Sequence, residues 1–263
     1  MLKEIIISIQ AYYHTHHFII RHRMWKWKWF FIPGLIYAIL FCLGIYLFWI
    51  SSSSTIEFML VKTGIKEWMQ KMQNNWLSFF LIFGLTVTHL VLMMIYFSLF
   101  KYLFLIIGSP LFAWLSEKTE AIIEGKDLSF DSQQFFKDIK RGVRLSLRNM
   151  LWQSVYSVSI LMISFIPVLG WITPVILLVI ECYYLGFSML DHSFERNKIS
   201  TTQSIAFMSR HKGLAIGNGM VFILMHLLPI IGWILAPYYS VIAATISLFN
   251  TKTDNPIISK EII

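Results

Sequence analysis

Long apolar runs separated by short charged segments set the organisation of this chain. Residues 30–50 contain no charge and are long enough to cross a bilayer once as a helix. Residues 76–107 exceed the length of one crossing, so we expect their inner end, near Lys101, to project into the cytoplasm. Between these runs, Ser51–Ser54 interrupts the pattern, and apolar residues in 55–75 recur near helical spacing. The pattern predicts two transmembrane helices, with an external segment over 51–75 lying along the outer surface.

Two further apolar regions are each divided by a similar turn. Residues 166–174 read Ile-Pro-Val-Leu-Gly-Trp-Ile-Thr-Pro, and residues 228–237 read Leu-Pro-Ile-Ile-Gly-Trp-Ile-Leu-Ala-Pro. Turns that emerge into water are normally rich in Asn, Asp, Gly or Ser, whereas these carry no charge. We therefore predict two half-penetrating, or re-entrant, helical hairpins over 150–190 and 214–249, joined by a linker over 191–213. Full crossing by both hairpins remains the alternative.

Non-helical backbone at membrane depth survives only where it is buried in protein or lines a water-filled cavity. The two turns therefore predict close packing between the hairpins or assembly into a homo-oligomer.

A charged region lies between the second long run and the first hairpin. Ser109 and Pro110 are suited to begin a helix, and Gly125 is suited to end it. Residues 133–149 form a second predicted helix, with four basic residues spaced so that they share a face. They are Lys137, Arg141, Arg144 and Arg148. This basic stripe either faces lipid headgroups or lines an entry funnel for anions.

Composition and charge agree with a membrane protein. The chain is 57% hydrophobic and 14% charged, well below the roughly 25% charged residues of a soluble domain. Of its 22 Lys and Arg residues, only Lys62, Lys66 and Lys71 fall within 51–75. The positive-inside tendency then places the N-terminal arm (1–29), residues 108–149, the linker and the tail (250–263) in the cytoplasm. We expect one multi-pass membrane domain with both termini cytoplasmic.

Several classes of function are disfavoured by the sequence. It shows no nucleotide-binding loop, no Ser-His-Asp order and no paired catalytic carboxylates, so we predict neither an enzyme nor a cofactor. Cys42 and Cys182 lie in apolar stretches and indicate no disulfide framework. His14 and His17 share a helix face but lack a Cys or acidic ligand, so no metal site is predicted. The basic residues flank membrane segments, which disfavours nucleic-acid binding.

A series of short motifs occurs in collinear order along the chain. They are Ile32-Pro33-Gly34-Leu35, Ser109-Pro110, Leu115-Ser116-Glu117-Lys118-Thr119-Glu120, Phe136-Lys137-Asp138-Ile139, Ile166-Pro167, Leu190-Asp191 with Glu195-Arg196, Leu228-Pro229, Pro237 and Ala243-Ala244-Thr245. This order resembles the CysZ/etoposide-induced-protein family of membrane proteins. The resemblance implies an oligomer of chains with two transmembrane helices and two half-penetrating hairpins. It also implies a bacterial inner-membrane protein associated with sulfate uptake for cysteine synthesis.

The resemblance also suggests a site before the first span. In CysZ proteins a Gly-x-Arg-Arg-like stretch there binds sulfate, and its two Arg positions fall on Trp27 and Lys28 in this chain. The chain therefore keeps one cation of the pair, and it lacks the Asn that commonly follows the family's Ser/Ala-Pro-Phe motif.

Five basic residues are the candidates for binding an oxyanion. They are Arg21, Arg23, Lys26, Lys28 and Arg148. Fixed cations beside the free N–H groups of a helix start suit a dianion such as sulfate, and the same cations suit lipid phosphates. Glu181 lies inside an apolar run, and we expect it to pair with a cation such as Arg148 or Arg210. His89 and His226 also lie within apolar runs, as packed histidines or as members of a proton relay.

The sequence therefore predicts a membrane permease or channel for sulfate or a related small oxyanion, with anionic lipid as a second partner. The alternative is a non-transporting scaffold or regulatory protein that binds anionic lipid, and a measurement of flux separates the two.

Overall fold

The computed structural model is all-helical over the residues that it describes. It describes 1–22, 24, 27–62, 75–126, 132–164, 172–196, 199–228 and 231–254. These residues form eight α-helices and no β-strand. In chain order the helices are α1 (Leu2–Arg21), α2 (Trp27–Lys62), α3 (Asn75–Glu124), α4 (Ser132–Ser164), α5 (Thr173–Arg196), α6 (Thr201–Arg210), α7 (Lys212–His226) and α8 (Ile231–Asp254).

The chain divides into two compact units. The smaller unit, Ile39–Leu103, contains the C-terminal part of α2 and the N-terminal part of α3. Gly44 there lies against the ring of Phe100, where an added Cβ would come within 2.8 Å of the ring. One turn further along α2, the Phe48 ring lies 5.2 Å from that of Tyr96. A glycine opposite an aromatic ring lets these two helices approach closely.

The larger unit, Met1–Ala38 with Phe104–Ile263, is built around the crossing of α5 and α7. A Cβ added at Gly186 of α5 would lie 1.9 Å from the Ala215 carbonyl oxygen of α7. A Cβ added at Gly219 of α7 would lie 1.9 Å from the Cys182 carbonyl oxygen of α5. Neither separation is possible for a real side chain, so each helix uses glycine to bring its backbone against the other. This geometry is common among membrane helices, where small residues permit close packing.

Helix α1 packs along α7 and α8 and makes several hydrogen bonds to them. Ser8 Oγ donates to the Leu214 carbonyl at 2.8 Å, and Tyr12 Oη donates to the Asn218 carbonyl at 2.9 Å. Burial raises the pKa of the Tyr12 phenol well above its usual value, so its hydroxyl stays protonated and remains a donor. Farther along α1, His16 Nδ1 lies 2.9 Å from Tyr239 Oη of α8.

Helix α3 differs from the expected start at Ser109. It runs without a break from Asn75 to Glu124, with Pro110 inside it. The buried residues Leu105, Ser109, Phe112 and Ser116 keep a spacing of four, three and four residues across the proline. The stabilisation from burying this continuous face is therefore larger than the cost of the backbone hydrogen bond that is lost at Pro110. The expected end is confirmed, since Gly125 follows Glu124 with a φ of 66°, a conformation that favours glycine.

Helix α2 also differs from the sequence pattern, because it continues through Ser51–Ser54 to Lys62. Serine is tolerated inside a helix, where its hydroxyl can bond back to a carbonyl one turn earlier. The rest of the predicted external segment, 63–74, lies outside the described residues.

Two helices in the described part of the chain are long and apolar enough to cross a membrane. They are Thr173–Phe194 in α5 and Ile231–Thr251 in α8, which form the second arms of the two predicted hairpins. A shorter apolar stretch, Ala38–Ser51, lies within the first predicted span. Most side chains of the second predicted span, at 77–95, lie outside the described residues.

The ends of both hairpins expose apolar side chains. Their turns, at 165–171 and 229–230, lie outside the described residues. The flanking residues Ile163 and Ile172 are 45% and 53% exposed in the first hairpin, and Leu228 and Ile231 are 60% and 64% exposed in the second. Exposed apolar side chains of this kind are unfavourable in water. Contact with lipid would remove them from water.

Candidate functional site

The four residues of the basic stripe of α4 differ in exposure. Lys137 and Arg144 are exposed, whereas Arg141 and Arg148 are only partly exposed and lie on the side that packs against α5. The members of each pair are seven residues apart, which brings them nearly into line after two helical turns. Arg141 therefore faces into the protein and not toward lipid headgroups. For the other three residues, a role in facing headgroups or lining an anion funnel stays a prediction.

Arg141 forms a buried ion pair with Asp191 of α5. The Arg141 Nη2 donates to Asp191 Oδ1 at 2.9 Å, and its Nε donates to Oδ2 at 3.3 Å. Its Nη1 donates to the carbonyl oxygen of Ile199. The side chains of Arg141 and Asp191 are only 14% and 2% exposed. The pair therefore joins α4, α5 and the segment after α5 at one point, and its charges neutralise each other.

Arg148 lies two turns further along α4 in a different setting. Its Nη1 donates to Asn149 Oδ1 at 3.2 Å, and Asn149 Nδ2 donates to Ser188 Oγ of α5 at 3.4 Å. Arg148 is also near enough to Tyr183 and Tyr184 to interact with both electrostatically. Within the described ranges it has no carboxylate partner. The structure thus places a partly buried cation among amide and hydroxyl groups.

Glu181 lies about two helical turns from Ser188 along α5, on the side of the first hairpin's turn. Gln153 Nε2 of α4 donates a short hydrogen bond to Glu181 Oε2. Arg148 donates to Asn149, and the expected pairing of Glu181 with a cation such as Arg148 or Arg210 stays a prediction. The sequence analysis did not identify Gln153 as a partner of Glu181, because it considered only cations.

Three hydroxyl groups from three helices meet in a triangle on the other side of α5. Ser116 of α3 lies 3.0 Å from Ser193 of α5 and 3.2 Å from Thr245 of α8, measured between hydroxyl oxygens. Ser193 and Thr245 are 2.9 Å apart. All three are buried. Sequence reasoning missed this cluster as a site, although Ser109 and Ser116 repeat at a seven-residue spacing on α3.

Two buried polar atoms lie close to Gly142 of α4. A Cβ added at Gly142 would lie 2.4 Å from Ser109 Oγ and 3.7 Å from His192 Cε1. Ser109 Oγ and His192 Nδ1 have no hydrogen-bond partner among the described groups. The space beside Gly142 is filled by the Ser109 side chain, which packs α3 against α4.

Each of these separate clusters includes or adjoins a side chain of α5, and we call them together the polar seam of α5. It consists of Arg141, Arg148, Asn149 and Gln153 of α4, Glu181, Ser188, Asp191, His192 and Ser193 of α5, Ser109 and Ser116 of α3, and Thr245 of α8. Polar and ionisable groups are costly within a membrane and usually mark solute pathways or relays.

The predicted N-terminal site is only partly described. Arg21 is exposed at the end of α1. Lys28 lies in the first turn of α2, where only its backbone is described, and Arg23 and Lys26 lie outside the described residues. The structure therefore does not test whether these four cations meet. Within the described part of the chain, no group of three or more His, Cys, Asp or Glu side chains is placed to hold a metal ion.

The structure is that of a helical membrane protein with a candidate solute path. It has apolar helices of spanning length, apolar hairpin ends and an internal polar seam. Comparison with known proteins agrees with this class. Residues 14–237 match the family described as sulfate transporter CysZ/etoposide-induced protein 2.4. The chain belongs to this family.

Individual relatives share modest identity with the chain. A sulfate transporter CysZ of Pseudomonas syringae pv. tomato is 26% identical over 176 residues, which cover 65% of this chain and 68% of the relative. A sulfate transporter CysZ of Pseudomonas aeruginosa is 24% identical over 167 residues, covering 62% and 67%. One from Vibrio atlanticus is 23% identical over 181 residues, covering 67% and 71%.

Proposed function

We propose that this chain is a membrane permease or channel for sulfate or a related small oxyanion, and that the polar seam of α5 lies on the path of the anion. The observation that carries the proposal is the position of Arg148. It is a partly buried guanidinium with amide and hydroxyl neighbours and no carboxylate among the described residues. The family match and the names of the relatives support sulfate as the first substrate to test.

The chemistry of Arg148 suits a tetrahedral oxyanion. A guanidinium can donate two parallel hydrogen bonds to two oxygens of one anion, and such charge-assisted bonds are the strong ones. Asn149, Ser188 and the two tyrosines supply neutral polar groups nearby. Arg141 is less suited, because Asp191 already neutralises it. Arg148 therefore attracts an anion while the neutral groups replace part of its hydration shell.

The N-terminal cations form the second part of the proposal. Arg21, Arg23, Lys26 and Lys28 would receive or release the anion at the membrane surface. The same cations would contact anionic lipid when no substrate is bound.

Re-entrant hairpins are the proposed arrangement in the membrane. Helix α7 has 15 residues, which corresponds to about 22 Å, less than the roughly 30 Å of a bilayer's hydrocarbon core. The exposed apolar ends of both hairpins would then lie within the bilayer, and the turns would be protected by packing within a homo-oligomer. Helices α5 and α8 are each long enough to cross, so full crossing is the competing arrangement.

The proposed location is the bacterial inner membrane, with both termini cytoplasmic. The distribution of Lys and Arg supports this orientation. The match to a family of transporters supports a permease over a scaffold that only binds lipid.

Sulfate binding to the purified protein tests the assignment of Arg148. Arg148→Gln should weaken binding about 10- to 150-fold, because a hydrogen bond to a charged group contributes about 1.5–3 kcal/mol. Arg144→Gln is the matched control, since it removes the same charge from the exposed face of the same helix. If the two variants bind sulfate equally well, Arg148 is not in the site.

A further inference from the structure

Five exposed apolar side chains lie along one side of α1. They are Leu2, Ile6, Ile9, Tyr13 and Ile20, with exposed fractions of 75%, 45%, 42%, 68% and 53%. At about 100° per residue they fall within an arc of roughly 60°, so they form one narrow line along the helix. We call this line the α1 stripe.

The opposite side of α1 is the one that packs into the protein. Its buried residues are Ser8, Ala11, Tyr12, Thr15 and Ile19. Most of these are small or polar, and Ser8 and Tyr12 donate hydrogen bonds to backbone carbonyls of α7. A helix on a water-soluble protein normally turns its apolar side inward. Here a line of large apolar side chains faces outward instead, which indicates that the α1 stripe faces an apolar environment outside the chain.

The charges of α1 are distributed in a way that identifies this environment. Lys3 and Arg21 are exposed and lie roughly 100° around the helix from the α1 stripe. The single acidic residue of α1, Glu4, is held at the start of α7: its Oε1 lies 2.8 Å from His211 Nδ1, and its Oε2 accepts from Gly213 N at 3.1 Å. The outward surface of α1 therefore combines an apolar line with positive charge.

We infer that α1 lies in the surface of a bilayer that contains anionic lipid, with the α1 stripe among the upper acyl chains and Lys3 and Arg21 at the headgroup phosphates. An amphipathic helix with basic residues beside its apolar face binds in this way. Because Glu4 ties α1 to Gly213, helix α7 starts at the level of α1 and enters the bilayer from that surface. The inference concerns docking alone, and it holds whether or not the chain transports sulfate.

Spin labels on the full-length protein in vesicles test this docking. The labels are placed at Ile6→Cys, Tyr13→Cys and, as a control off the stripe, Gln10→Cys, in a background of Cys42→Ser and Cys182→Ala. The vesicles contain phosphatidylcholine with phosphatidylglycerol. The labels at Ile6 and Tyr13 should lie about 5–10 Å below the phosphates and should therefore collide mainly with oxygen, which is dissolved in the acyl chains. The label at Gln10 should collide mainly with a water-soluble nickel complex. Lys3→Gln with Arg21→Gln, or phosphatidylcholine alone, should reduce the depth.

Two results would overturn the inference. Access of the nickel complex to all three labels would show that the stripe faces water. Strong coupling between Ile6 labels, removed by dilution with unlabelled protein, would show that the stripe contacts a second copy of the chain. Size-exclusion profiles of each labelled variant establish that it remains folded, and sulfate uptake by the same vesicles reports separately on the transport proposal.

Discussion

The ion pair between Arg141 and Asp191 gives a prediction whose size follows from its burial. Arg141→Met leaves the Asp191 carboxylate, which is only 2% exposed, without its counter-charge. Breaking a buried pair in this way costs about 3–5 kcal/mol. The carbonyl of Ile199 also loses its donor, which adds about 1 kcal/mol. We therefore expect Arg141→Met to be among the most destabilising single changes in α4.

The double variant Arg141→Met with Asp191→Leu separates the charge effect from packing. Replacing both members by apolar groups removes the uncompensated charge, so the double variant should be more stable than Arg141→Met alone. The stability of the single and the double variant can be measured by unfolding the purified proteins. Each is unfolded in detergent with increasing sodium dodecyl sulfate, and tryptophan fluorescence follows the transition. Arg144→Met is the control, and on the exposed face it should change stability by no more than about 0.5 kcal/mol. The reasoning fails if Arg141→Met costs no more than this control, or if the double variant loses the sum of both single losses.

Three further predictions address the helix crossing, the N-terminal site and the hairpins. Gly219→Ala should lower the melting temperature of the purified protein, because the new Cβ would lie 1.9 Å from the Cys182 carbonyl oxygen; an unchanged melting temperature would mean that α5 and α7 do not touch there. Arg21→Ala or Lys28→Ala should weaken sulfate binding without lowering the yield of folded protein, and unchanged affinity in both would exclude the N-terminal site. Cysteines introduced at Ile172 and Leu228 should resist membrane-impermeant maleimide added from outside the cell, whereas ready labelling would favour full crossing.

Much of the fold class could be predicted from the sequence, because the fold class depends on local sequence patterns. Apolar length and charge distribution indicated a helical membrane protein, and Gly125 marked the end of α3 through its own backbone conformation. The break expected at Ser109-Pro110 did not occur, because the buried face of α3 continues across it. A local helix-start signal was overridden there by packing with distant parts of the chain.

The candidate site was predictable only in part, for a related reason. Arg148 was identified from its place beside the first hairpin, but helical spacing alone cannot show which members of a basic stripe turn inward. That choice depends on Asp191, which lies 50 residues from Arg141. The hydroxyl triangle joins Ser116 to residues 77 and 129 positions away, and no local pattern specifies such a meeting.

Uptake of radioactive sulfate into liposomes that hold the purified protein tests the central claim most directly. Liposomes with the native chain, Arg148→Gln, the control Arg144→Gln and no protein are compared. The account predicts saturable uptake by the native chain and by Arg144→Gln, with a large loss in Arg148→Gln. Absence of uptake by correctly inserted native protein would contradict the assignment as a sulfate permease, and full uptake by Arg148→Gln would remove the polar seam at Arg148 from the path of the anion.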